Sequence, residues 1–93
     1  VPEFKIKLTP TAQRDLDGLN DAQVDRIITS LNNIRSNPFP RTDKIKKIKG
    51  KKGDYYRLRI GKIRGFYFIE NTEIAVLRIL SKKDAEKYIS RLE

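Results

Sequence analysis

Arg57, Arg59 and Arg64 are spaced so that three guanidiniums share one surface. Residues 55–60 and 63–69 are β-rich runs separated only by Gly61 and Lys62, and glycine at the first loop position suits a type II′ hairpin turn. A two-residue loop sets the register: Ile60 faces Ile63, Arg59 faces Arg64, Leu58 faces Gly65 and Arg57 faces Phe66. Arg59 opposite Arg64 is a like-charge cross-strand pair, which costs stability when empty and becomes favourable when an anion bridges the two forks. Tyr55, Phe66 and Phe68 fall on the arginine face and offer rings on which bases stack. Tyr56, Leu58, Ile60, Ile63, Tyr67 and Ile69 fall on the other face, which asks for a helical cover.

The charge distribution points to the same surface. From Arg41 to Arg64 there are eleven basic and two acidic residues, a balance of +9, and the remainder of the 93-residue chain carries ten of each. Charge confined to one loop and hairpin builds a directed field that draws polyanions, and nucleic acid is the leading ligand class. The lysine-rich stretch contributes Lys44, Lys46, Lys47, Lys49, Lys51 and Lys52 as candidate phosphate contacts, with Phe66 as a stacking ring. Lys82 and Lys83 fall in the first turn of a C-terminal helix, where the macrodipole disfavours cations and welcomes phosphate. Two plainer readings stand beside these. Long arginine stems can pack over the aromatic residues and send their charges to solvent, and a short solvated helix tolerates two lysines at a cost of a few tenths of a kcal/mol. Tyr88 falls on an apolar stripe, with a hydroxyl placed to emerge beside the arginine face.

Histidine and cysteine are both absent. Their absence removes the usual general acid/base, the commonest metal ligand, disulfides and thiolate nucleophiles, leaving Lys, Arg, Tyr and carboxylates for any chemistry. Asp15, Asp17, Asp21 and Asp25 are spread along helices as capping and solvated charge, without the convergence a Mg²⁺ site requires. Gly50 and Gly53 lack a following helix and make no phosphate loop. Apolar runs are short and broken by charge, so neither a membrane span nor a signal peptide is read, and the chain is predicted to be cytoplasmic, with one domain over residues 1–93.

The elements that must position the arginines follow from periodicity. Phe4, Ile6 and Leu8 alternate with lysines as a strand. Thr9 then Pro10 opens a short helix carrying Ala12, Leu16 and Leu19. Asn20 with Gln23 forms a capping-box pattern for a second helix through Val24, Ile27, Ile28, Leu31 and Ile34, running to about Ser36 before the prolines of residues 37–40. Residues 44–52 read as an irregular, mobile arm anchored by Ile45 and Ile48. After the hairpin, Asn71 and Thr72 mark a tight turn and residues 74–80 a nearly all-apolar central strand. Ser81 with Asp84 caps a last helix bearing Ala85, Tyr88, Ile89 and Leu92. The class is α+β: a small, mostly antiparallel four-stranded sheet packed against a helical hairpin, in the order βααβββα.

Along nearly its whole length the chain resembles the RelE/ParE superfamily of bacterial and archaeal toxins from type II toxin–antitoxin pairs. The resemblance rests on Ile48-Lys49-Gly50, Tyr56-Arg57-Leu58-Arg59-Ile60-Gly61, Ile63-Arg64, Tyr67, Ser81-Lys82-Lys83-Asp84 and Tyr88. It implies a RelE-like fold and a ribosome-dependent, metal-independent endoribonuclease that cuts messenger RNA in the decoding site by attack of a 2′-hydroxyl on the adjacent phosphate. Arg57 and Arg59 match the two basic residues of the family's strand, Arg64 its transition-state arginine and Tyr88 its C-terminal tyrosine, while Lys82 falls near a later arginine. The implied partners are a RelB-type antitoxin, the ribosome and messenger RNA, with no membrane and no small-molecule cofactor. Many relatives carry histidine or arginine where this chain has Ser81-Lys82-Lys83. Two alternatives remain at this point: a ParE-type toxin that binds DNA gyrase without cutting, and an RNA-binding domain without catalysis.

Overall fold

The computed structural model describes residues 3–40 and 43–92; Arg41, at the start of the basic segment, lies outside them. Its elements are β1 (Lys5–Leu8), α1 (Pro10–Asp17), α2 (Asp21–Ile34), β2 (Ile45–Gly50), β3 (Gly53–Ile60), β4 (Ile63–Glu70), β5 (Glu73–Ser81) and α3 (Lys82–Leu92). The sheet has five strands in the order β1-β5-β4-β3-β2, with β1 parallel to β5 and the other neighbours antiparallel. The α+β class and helical hairpin of the sequence reading hold; the strand count and element order need correction.

The additional strand is β2, where the lysine-rich sequence predicts a mobile arm. It pairs with β3 from Ile45↔Leu58 to Gly50↔Gly53, so its peptide groups find partners that an arm would have to find in water. Ile45 and Ile48 stand an odd number of residues apart and point to opposite faces. Ile45 joins the core under the helices and Ile48 the smaller core on the far side. The exposed lysines between them belong to an edge strand, where lysine guards against intermolecular pairing. A composition rich in lysine hid a strand whose anchors are only two isoleucines. Gly50 suits its end, because a Cβ there would run into the Tyr55 ring.

The helical hairpin is capped as its residues predict. Thr9 accepts from Ala12 N–H ahead of Pro10, and Asn20 and Gln23 form the complete capping box. α2 ends at Ile34, two residues earlier than predicted. Ala12, Leu16, Ile27, Leu31 and Ile34 pack on Tyr56, Leu58, Ile60, Tyr67, Ile74, Val76 and Ile79, the inward positions of the central strands. Tyr67 is fully buried, stacked at 5.5 Å on Tyr56, and donates its hydroxyl to the Pro38 carbonyl at 2.6 Å. Burial holds its phenol well above the ordinary tyrosine range.

α3 lies on the opposite face. Its start is set by Ser81, whose Oγ accepts from Asp84 N–H, and Ala85, Tyr88 and Ile89 cover Phe66, Ile48, Tyr55 and Leu80. The sheet is therefore covered on both sides, by the helical hairpin over the larger core and by α3 over the smaller one.

Candidate anion-binding site

The β3–β4 hairpin has the register its two-residue turn dictates, with Arg59↔Arg64 and Arg57↔Phe66 as direct partners. Gly61 takes φ 59° while Lys62 stays out of the left-handed region, as a II′ turn requires. The Arg64 Nη1 donates to the Gly61 carbonyl at 2.7 Å and the Ile63 carbonyl at 3.0 Å. Arg64 is only 9% exposed, so its fork is held by the turn rather than waving in solvent. Arg57 is half-buried, and its Nε is buried without a hydrogen-bond partner. Among the described residues no carboxylate pairs with Arg57, Arg59 or Arg64; the ion pairs present are Arg35–Glu3, Lys47–Asp54 and Arg78–Asp15. Desolvation, then repulsion from Arg64 and Arg59, pushes the Arg57 pKa below the ordinary guanidinium value. Three guanidiniums thus share one face with no neutralising acid among the described residues, an arrangement that an oxyanion completes.

The last helix brings in two further candidates. Ser81 pairs with Ile63, and Lys82 N–H donates to the Lys62 carbonyl at 3.2 Å, which ties the start of α3 to the hairpin end bearing Arg59 and Arg64. Lys82 and Lys83 are exposed there. One turn and a half later, the half-buried Tyr88 meets Phe66 edge to face at 4.9 Å. Phe66 is the cross-strand partner of Arg57. Burial raises the Tyr88 pKa, partly opposed by the Arg78 cation.

Phe66 does not belong to the RNA-facing surface predicted for it. It is fully buried between the sheet and α3, in contact with Ala85 and Tyr88, and cannot stack on a base. The apolar stripe of α3 needs cover, and Phe66 is the largest apolar surface on that face; the sequence reading placed it on the correct face without placing a helix over it.

The lysines of β2 divide between the two faces. Lys46 pairs with Arg57 and shares its face, whereas Lys47 and Lys49 alternate with it, Lys47 held to Asp54 at 3.3 Å. Lys44 precedes the strand, its carbonyl accepting from Arg59 N–H at 2.8 Å. Lys51 and Lys52 form the β2–β3 turn, where Lys51 N–H donates to the Leu92 carbonyl. Beyond the Gly61 turn the basic surface continues into a cleft of about 830 Å³ between α2 and β3, lined in part by Arg26, Lys44 and Arg59.

Asp15 and Arg78 were missed. Asp15 is no solvated helix charge: its carboxylate accepts from Arg78 Nε at 2.9 Å, Arg78 Nη2 at 3.3 Å and Ile79 N–H at 2.9 Å. The available signal was Arg78 itself, the one charge inside an apolar strand. Among the described residues no cluster of ligands suits a metal ion, and no helix is long and apolar enough to cross a membrane.

Comparison with known proteins fits this geometry. A model of the ParE toxin family of type II toxin–antitoxin systems, parDE, matches residues 6–86. The fold is similar to a chain of the archaeal RelE–RelB complex from Pyrococcus horikoshii, with TM-score 0.74 and 22% identity over 87% of this chain and 97% of that one. It is similar also to YoeB of Staphylococcus aureus (TM-score 0.70, 25% identity, 85% and 97% covered) and to a chain of the RelB–RelE complex of Methanococcus jannaschii (TM-score 0.68, 26% identity, 87% and 95% covered). No curated protein matches the sequence. With residues 6–86 of its 93 matched by the family model and a RelE-like fold, the chain belongs to the ParE toxin family, within the RelE/ParE superfamily of type II toxin–antitoxin toxins.

Proposed function

We propose that this toxin is a RelE-type endoribonuclease that cuts messenger RNA on the ribosome without a metal ion. The observation that carries the reading is the trio Arg57, Arg59 and Arg64, on one face and without a carboxylate partner among the described residues. A scissile phosphate gripped there gains charge as the 2′-oxygen attacks, and preorganised guanidiniums stabilise that charge. Arginine keeps its proton at working pH, so Arg57 and Arg59 orient the 2′-hydroxyl and neutralise charge rather than act as bases. The 2′-hydroxyl proton passes to water, the 2′-O–P bond forms, the P–O5′ bond breaks, and Tyr88 or Lys82 protonates the departing 5′-oxygen. Products are a 2′,3′-cyclic phosphate and a 5′-hydroxyl. Modest acid/base machinery suits an enzyme that relies on the ribosome to hold the strand in reactive geometry. A RelB-type antitoxin is the proposed partner, supported by relatives solved as RelE–RelB complexes; an acidic amphipathic segment complements the basic face.

The family-model match favours a second reading, a ParE-type toxin that binds DNA gyrase. Mapping 5′ ends of messenger RNA programmed into ribosomes, in chelator, separates the two. New ends in the decoding site, lost on Arg59→Ala, are expected; intact message with gyrase inhibited in a parallel supercoiling assay overturns the nuclease reading.

A further inference from the structure

Arg78 wraps the free edge of β5 and joins the two layers of the molecule. β1 pairs with β5 only as far as Val76, and among the described residues no strand pairs with that edge beyond it. There β5 carries a bulge against β4, where Phe66 pairs with Arg78 but Tyr67 with Val76, leaving Leu77 unpaired. The bulge places Arg78 on the α3 face, and Thr9 fixes it, its Oγ1 donating to the carbonyls of Val76 and Leu77 at 2.9 and 3.2 Å. The same Thr9 caps α1, the helix that delivers Asp15 to Arg78. The Arg78 guanidinium also lies over the Tyr88 ring, 5.9 Å from its centroid. Tyr88 is therefore held by its edge-to-face contact with Phe66 and by a cation that a two-point carboxylate contact keeps in place.

We infer that the Asp15–Arg78 pair is a positioning device for Tyr88, fixing the ring on Phe66 and placing a positive charge beside its phenol. The inference rests on Tyr88 belonging to the reacting site proposed above, but its structural content is independent of cleavage. The titratable groups acting on Tyr88 are Arg78 of β5, Tyr55 of β3 and Asp15 of α1. Arg78 is the cation among them, and it favours the phenolate form.

The test is titration of Tyr88 by NMR of ¹³Cζ-tyrosine protein, assigned with Tyr88→Phe, in wild type, Arg78→Met and Arg78→Lys. Arg78→Met is expected to move the Tyr88 midpoint upward, and Arg78→Lys, which keeps a cation without the two-point fork, to return it part of the way. In the ribosome assay Arg78→Met lowers kcat about tenfold, a fraction of the ~10²–10⁴ that general acid catalysis supplies, with KM unchanged because Arg78 does not hold the RNA. A Tyr88 titration identical in all three proteins overturns the inference, even if Arg78→Met lowers Tm. If Arg78→Met does not fold, an unshifted midpoint in Arg78→Lys overturns it. A Tyr88 midpoint that Arg78→Met moves upward, in a protein whose wild type cuts no message, supports the positioning role and rejects the nuclease reading.

Discussion

At Arg57 three costs meet in one side chain: partial removal from water, repulsion from Arg64 and Arg59, and a buried Nε with no acceptor. The folded pKa is depressed, so the cost is present wherever the group is charged. Arginine stays charged throughout the working range, and the penalty therefore shows as a dependence on anions rather than on pH. Arg57→Met keeps the stem, removes the charge, and is expected to be stabilising by about 1 kcal/mol, a rise of roughly 4–8 °C in Tm for a domain of this size. Phosphate or sulfate should raise the Tm of the wild type more than that of the variant, because only the wild type holds the full fork for the anion. Thermal melts in chloride and in phosphate measure both effects. An Arg57→Met protein no more stable than wild type in chloride, with the same phosphate response, means the three charges are already well solvated. The same substitution should nearly abolish cleavage, which is the usual relation between a strained site and its function.

α3 shows most clearly what one element does to another. Phe66, Ile48 and Ala85 form its buried contact, with Tyr55, Leu80, Tyr88 and Ile89 around them, and the larger core under α1 and α2 does not include these residues. Phe66→Ala should cost about 3–5 kcal/mol, concentrated in α3: amide protection of residues 85–92 falls first while α2 stays protected. Equal loss of protection in α2 would mean the two cores fail as one unit. Which elements the sequence disclosed follows the same logic. The hairpin register, the capping box and the cap at Ser81 were readable because each depends on residues a few positions apart. β2 was not, since its pairing is set by β3 and its lysines obscure a two-isoleucine anchor. The covering of Phe66 and the reach of Asp15 to Arg78 were hidden for a related reason: they join positions 22 and 63 residues apart through tertiary packing, and local periodicity carries no trace of which helix lands on which face. The arginine trio was legible because a two-residue turn leaves only one register.

Across the whole molecule, the question is whether the +9 charge acts as a diffuse cloud or as one face. The fold distributes the basic segment unevenly. Arg57, Arg59, Arg64 and Lys46 share the α3 side of the sheet, while Lys47 and Lys49 point to the other, Lys47 already engaged by Asp54. A single strand of RNA tracking the arginine face releases one set of counterions for each phosphate it pairs, so the logarithm of affinity falls with the logarithm of salt by about 0.7 per contact. Lys46→Ala should therefore flatten that slope by about 0.7, whereas Lys47→Ala and Lys49→Ala should leave it unchanged and shift affinity only slightly through the long-range field. A 2′-O-methyl oligonucleotide is the suitable ligand, because it keeps the phosphates and removes the attacking hydroxyl. Equal changes for all three lysines would mean that the strand meets a cloud of charge and that the register of β2 against β3 does not direct it. A change confined to Lys46 would mean that the pairing of one edge strand selects which cations reach the RNA.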